Sequence, residues 1–271
     1  MSDPAHPPPS RKPLYGAIVA LVAVGAGAGA YVMLGRSTPS TPSSAPPATT
    51  APATATAPVP SGRTKEVTGA KPLPSVDQSD TRTRELVGLL SNEPDLKKWV
   101  AAEGLARRFA AAVSNIAEGD SPRAVLPSMA PTGGFQTLER DGKHFIAPES
   151  FARYDSVGRI FNSLDTETTL NTYKALRPLF EQAFAEIARP GQRFDETLSR
   201  AIQRMLDTPV PDGDIEVVAT QGVNYAYADP KLEQLSAAQK HLLRLGPTNA
   251  KAVQTKLREL QTALGLPAAG H

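Results

Sequence analysis

The residues that could do chemistry are few. His144 and His241 lie far apart in the chain, and no His-x-x-x-His or His-Glu-x-x-His occurs. A zinc site built on one helix face is thereby excluded. There is no cysteine, which removes disulfides, thiolate ligands, iron–sulfur clusters and cysteine nucleophiles together. Neither a Gly-x-Ser-x-Gly elbow nor a phosphate-binding Walker loop is present. Carboxylates offer the remaining route to catalysis. Glu181, just after Pro178, and Asp155, just after Tyr154, are candidates for the acid and base of a cell-wall hydrolase, which needs two flanking carboxyl groups. Glycan sites also stack sugars on aromatic rings, and the chain has one tryptophan. Glu181 therefore reads better as an exposed helix position. Asp77 and Asp80 read as N-cap and first-turn acids of the first helix. Arg107 and Arg108 read as solvated or paired, Arg177 and Lys240 as salt-bridge partners. Tyr225 and Tyr227 share one strand face at i and i+2, where packing is preferred over ligand stacking. No catalytic, cofactor-binding or metal-binding residue is assigned.

Amphipathic helices would have to position these groups. Leu86, Val87, Leu89 and Leu90 mark a first, and Leu96, Trp99 and Val100 a second, opened by Pro94. Leu105, Phe109, Val113 and Ile116 recur at helical spacing up to Gly119. Phe151, Tyr154, Val157, Phe161 and Leu164 follow Pro148. A long helix is expected from Thr166 to Ile187, kinked or split by Pro178. Another covers Phe194 to Leu206, and two more follow Pro230 and Ser236. The last carries Ala250, Val253, Leu257, Leu260 and Leu264, too few heptads for a coiled coil. Asp141-Gly142 between alternating flanks signals a type I′ hairpin. Residues 215–218 and 223–227 suggest a second strand pair. The expected fold is mainly α, a helical domain over 73–266 with a small β-hairpin element.

Ahead of this domain the composition is different. Leu14 to Gly35 holds 22 residues with neither charge nor proline. As a helix it reaches about 33 Å, close to the ~30 Å hydrocarbon core of a bilayer. Within it, Gly25-x-Gly27-x-x-Ala30 fits a relaxed dinucleotide fingerprint, but the chain then runs into Pro, Ser and Thr rather than a helix. Arg11 and Lys12, the apolar run and Ala28-x-Ala30 also resemble a secretory signal, yet the run continues to full spanning length. An uncleaved anchor over 14–35 is the preferred reading, preceded by a cytoplasmic tail, 1–13. Gly25 and Gly29 would form a small-residue face for helix association, and with it a homo-oligomer. Arg11 and Lys12 favour an amino terminus in the cytoplasm. Ser37 to Pro74, with nine prolines, lacks the apolar content to order itself. It makes 36–72 a spacer, and 267–271 a disordered tail.

The overall charge is +2, but its division matters more. Residues 1–74 carry six cations and two anions, and residues 75–271 carry 23 and 25. The folded part has no cationic surplus for polyanions, which argues against nucleic acid.

Several stretches resemble a bacterial family known only as a domain of unknown function, numbered 3014. They are "LPSVDQSD", "RRFAAAVSNIAEG", "FARYDSVGRIF", "YKALRPLFEQAFAEI", "RFDETLSRAIQRMLDTP" and "YADPKLEQLSAAQKHLLRLGPTNAKAVQTKLREL". They run in order from Leu73 to about Leu264. The resemblance implies an amino-terminal anchor, a variable linker and this helical domain, and supplies no catalytic residues. The resulting expectation is a single-pass protein of a bacterial inner membrane. Its helical domain, in the periplasm, would act as a binding or scaffolding module for an envelope protein partner, without a cofactor. The alternative is an envelope hydrolase acting on cell-wall glycan or peptide.

Overall fold

Leu105, Phe109, Val113 and Ile116, the clearest helical stripe in the sequence, form the centre of the fold. In the computed structural model, which describes residues 73–221 and 224–266, they line α3 (Leu105–Glu118). Phe109 is almost fully buried, and Val113 and Ile116 are inaccessible to solvent. The expected tail 1–13, span 14–35 with Gly25 and Gly29, linker 36–72 and end 267–271 lie outside the described residues. No helix among the described residues is long and apolar enough to cross a membrane.

The chain enters through α1 (Asp80–Gly88) and α2 (Pro94–Trp99), reaches α3, and returns through α4 (Pro148–Ala152) and α5 (Asp155–Ser163). Then come α6 (Thr166–Ala185), α7 (Phe194–Leu206), α8 (Pro230–Glu233), α9 (Ala237–Leu243) and α10 (Gly246–Leu264). Helices α6 and α7 pack on α3, and α10 closes the other side against α5, α6 and α7. The centre is aromatic. Phe109 and Phe180 lie 4.4 Å apart, and Phe194 is within 5.9 Å of Phe109, Phe180 and Phe184. Such tilted and edge-on pairs add to the burial of their area.

Four expectations need correction. Pro178 does not split α6, which runs unbroken for 20 residues. Proline removes one backbone donor and costs about 3 kcal/mol in a helix interior. Here it sits on the exposed side, while Leu176, Leu179 and Phe180 around it are inaccessible to solvent and hold the helix in place. Second, the helix after Pro148 is two helices. Tyr154 leaves helical backbone (φ −109°, ψ 8°) between them and turns its ring into the core. Third, three helices rather than two follow Pro230. Gly246, at φ 82°, breaks the last pair, and a β-carbon there would stand 2.7 Å from the ring of Phe151. Finally, Leu89 and Ile187 are exposed, because α1 and α6 end before reaching them.

Helix ends are tied down by neighbours. Asp80, expected to serve its own helix, accepts from the backbone N–H groups of Gly104 (2.7 Å) and Leu105 (2.8 Å), and so caps α3 from α1. Gln254 of α10, almost fully buried, donates to the carbonyls of Met205 (2.9 Å) and Thr208 (2.8 Å) at the end of α7. Both satisfy groups that a helix end leaves unbonded.

The expected hairpin and the expected second strand pair join into one antiparallel sheet. Its order is β1 (Thr137–Arg140), β2 (Lys143–Ile146), β3 (Glu216–Ala219), β4 (Tyr225–Tyr227). Asp141 (φ 53°) and Gly142 (φ 71°) supply the left-handed pair that a type I′ turn demands. Ile146, Ile215 and Val217 face Leu232 of α8 and Leu243 of α9 in a second, smaller core.

Candidate functional site

Glu139, His144, Val217 and Tyr227 align across the four strands and so share one face of the sheet. Around Val217 this face is covered by α8 and α9. Towards Tyr225, two residues before Tyr227 and on the same face, the cover ends. Phe135, from the loop ahead of β1, places its ring 5.6 Å from Tyr225, and the His144 ring lies 6.3 Å from it. Phe135 is 43% exposed and Tyr225 41%. The result is a small open aromatic surface. On the reverse face the Arg140 guanidinium lies 4.6 Å over Phe145, beside the exposed Val218. Ion pairs from Arg140 to Asp214 (2.7 Å) and from Lys143 to Glu216 (2.9 Å) frame it.

The two tyrosines of the strand thus have different surroundings. Tyr227 packs on the second core and donates to the carbonyl of Lys240 at 3.5 Å; burial pushes its hydroxyl up to about 12. Tyr225 remains in solvent as part of the aromatic surface.

Among the described residues, His241 has the one contact that looks like nucleophile and base. Its Nδ1 lies 3.0 Å from the Ser121 hydroxyl. The surroundings do not suit a general base. The imidazole is inaccessible to solvent, and its pKa is pushed down to about 3, by burial first and then by Arg244 and Arg123. A base of that strength takes no proton near neutral pH. Its Nε2 has no hydrogen-bond partner among the described residues, so no carboxylate orients the ring as in a catalytic triad.

The carboxylates considered for hydrolysis stand apart. Glu181 is exposed and pairs with Arg177 at 3.0 Å. Asp155 accepts from the Asn249 amide at 3.0 Å. Arg177 also binds Asp195 at 2.6 Å, and Asp195 accepts the Tyr173 hydroxyl at 2.5 Å, which clamps α6 to α7. Burial, and next the bond to Asp195, push the Tyr173 hydroxyl above its usual range. Lys240 pairs with Glu233, and its ammonium holds that carboxyl low. Arg107 bridges Asp77 (2.8 Å) and Glu186 (2.6 Å). Asp229 caps α8. No group of three acidic or histidine side chains among the described residues could hold a metal ion.

A family model described as "Protein of unknown function (DUF3014)" matches residues 105–261. The chain belongs to this family. No curated protein and no solved structure is similar to it. The DUF3014 segment runs from the start of α3 into α10 and holds the whole sheet, with Phe135, His144 and Tyr225. Asp77, Asp80 and the first two helices precede it, so the "LPSVDQSD" stretch is not part of the match.

Sequence reasoning separated Tyr225 from Tyr227 only as two residues of one face, and it missed Phe135. Phe135 opens the alternating flank read as the first hairpin, and nothing in that pattern tells an exposed ring from a packed one. Its exposure depends on where the covering helices stop.

Proposed function

We propose that the folded domain is a binding or scaffolding module, held off a bacterial inner membrane by an anchor over 14–35 and the linker over 36–72. Arg11 and Lys12 favour an amino terminus in the cytoplasm, which would put the domain in the periplasm. The observation that carries the binding role is the aromatic surface of Phe135, His144 and Tyr225 on the uncovered half of the sheet. Exposed aromatic rings gain from burial against a partner, and such residues dominate protein interfaces. The partner is a protein of the envelope, whose polypeptide covers these rings.

Site-specific photocrosslinking tests this. A photoreactive residue at Phe135 or Tyr225, in the full chain in its native membrane, forms a discrete adduct with a partner protein. The same residue at Glu196, on an exposed helix surface, does not. Joint replacement of Phe135 and Tyr225 by serine removes the partner from the purified protein and leaves folding intact. Indistinguishable adducts from all three positions would end the proposal.

A further inference from the structure

The two edges of the sheet differ. Among the described residues no strand lies beyond β1 or beyond β4. A bare strand edge is a template for another chain, and proteins commonly blunt it. The β4 edge is blunted. The Ala228 N–H donates to the Glu216 carbonyl at 3.0 Å, so by alternation Tyr227 turns its own N–H away from β3. There the Glu233 carboxylate accepts it at 2.8 Å.

The β1 edge has no such cover. The Ala147 N–H donates to the Gln136 carbonyl at 3.1 Å, and the register pairs Leu138 with Phe145 and Arg140 with Lys143. Gln136, Leu138 and Arg140 therefore aim their backbone groups at β2, and Thr137 and Glu139 aim theirs outward. The N–H and C=O groups of Thr137 and Glu139 have no hydrogen-bond partner among the described residues.

This edge is complementary to itself. Laid antiparallel on a second β1 with Leu138 at the twofold axis, Thr137 of each copy meets Glu139 of the other. All the outward groups of both copies are then bonded. The side chains agree with that register. Leu138, half-buried, shares the open face of Phe145 and the exposed Val218, and it meets its own copy directly. Arg140 stands opposite Gln136, and the Glu139 carboxylate opposite a Thr137 hydroxyl that can donate to it. No like charges face each other, whereas centring the axis on Glu139 would oppose two carboxylates.

We propose that a second copy of this chain pairs along β1 and joins two four-stranded sheets into one. The contact is short against the ~1,200–2,000 Å² of a stable interface, so it forms where copies are held close together, as on one membrane. In this it rests on the anchor proposed above; it does not rest on the aromatic surface.

The chain has no cysteine, so an introduced one reports alone. Residues opposed in a non-hydrogen-bonded pair have Cα atoms about 4.5 Å apart, within disulfide reach. The full chain is oxidised in its native membrane and run on a non-reducing gel. Leu138→Cys gives a disulfide-linked dimer. Arg140→Cys and Gln136→Cys, in differently tagged copies, give a mixed dimer, and neither links to itself. Val218→Cys, on the same face but inside the sheet, gives about tenfold less or lower, because its copies stand beyond the ~7 Å that a disulfide spans. The mixed pair uses exposed positions and decides the matter if Leu138→Cys does not fold. Sedimentation with membranes reads the anchor separately: a dimer from a chain that does not sediment overturns the anchor alone. Absence of both the Leu138→Cys dimer and the mixed dimer, equal yield from Val218→Cys, or adducts to a different protein would each overturn the pairing.

Discussion

Mild acid should weaken this domain through one histidine. His241 is held neutral in the fold, with its pKa at about 3, whereas a histidine in an unfolded chain titrates near 6.5. The unfolded chain therefore takes up this proton first as the pH falls. The stability at stake is fully present above about pH 6.5 and is lost as the pH descends towards 3. At about 1.4 kcal/mol per pH unit the full loss is about 5 kcal/mol, and about 2 kcal/mol is gone by pH 5. That is a large share of a typical total of about 5–15 kcal/mol. Carboxylates held low by cations, such as Glu233 beside Lys240 and Glu186 beside Arg107, lose their contribution mainly below about pH 5. The interval from 6.5 to 5 thus isolates the histidine. Urea unfolding of residues 73–266, followed by Trp99 emission, measures the free energy at steps across this interval. His241→Asn starts less stable at pH 7, because it leaves a gap beside Ser121, but it loses less on acidification. Parallel pH profiles for the two proteins would refute the reasoning. So would an imidazole signal of His241, followed by NMR, that titrates near 6.5.

Two further outcomes follow from the packing. Gln254→Leu leaves the Thr208 carbonyl unbonded in the core, takes one bond from the Met205 carbonyl, which still accepts from the Thr208 N–H, and lowers stability by about 1–3 kcal/mol; a urea midpoint close to the parent's would show that water replaces the amide. Phe180→Asp places a charge among Phe109, Tyr173 and Phe194 and unfolds the domain, as read by circular dichroism, whereas Glu181→Ala loses only an exposed ion pair worth about 0.5 kcal/mol or less. A folded Phe180→Asp domain would contradict the aromatic centre.

Most helices were legible because their signals are local. The stripe of α3 ends at Gly119, α7 was read to the residue from Phe194 to Leu206, and Asp141-Gly142 announced its hairpin. What escaped depends on distant partners. The join of both hairpins into one sheet rests on His144 pairing with Val217, and short strands carry no mark of which neighbour they choose. Asp80 was legible as a capping acid but not as the cap of another helix, since the two ends meet only after folding. The same holds for Ser121 and His241, 120 positions apart. Pro178 misled because the proline rule weighs the backbone and omits the side chains buried around it. The aromatic surface was half visible, through Tyr225.

The cap that Asp80 provides bears on where this family's structural unit begins. The family match starts at Leu105, the residue whose N–H is bonded to the Asp80 carboxylate. A chain cut there would keep α3 but lose its cap, and Leu86 and Val87 with it, both buried in the same core as Phe109. The boundary of recognisable sequence is therefore not a boundary of stability. In this chain the thirty or so residues upstream of the match, from Leu73 to Gly104, belong to the same cooperative unit as the segment that the family model covers.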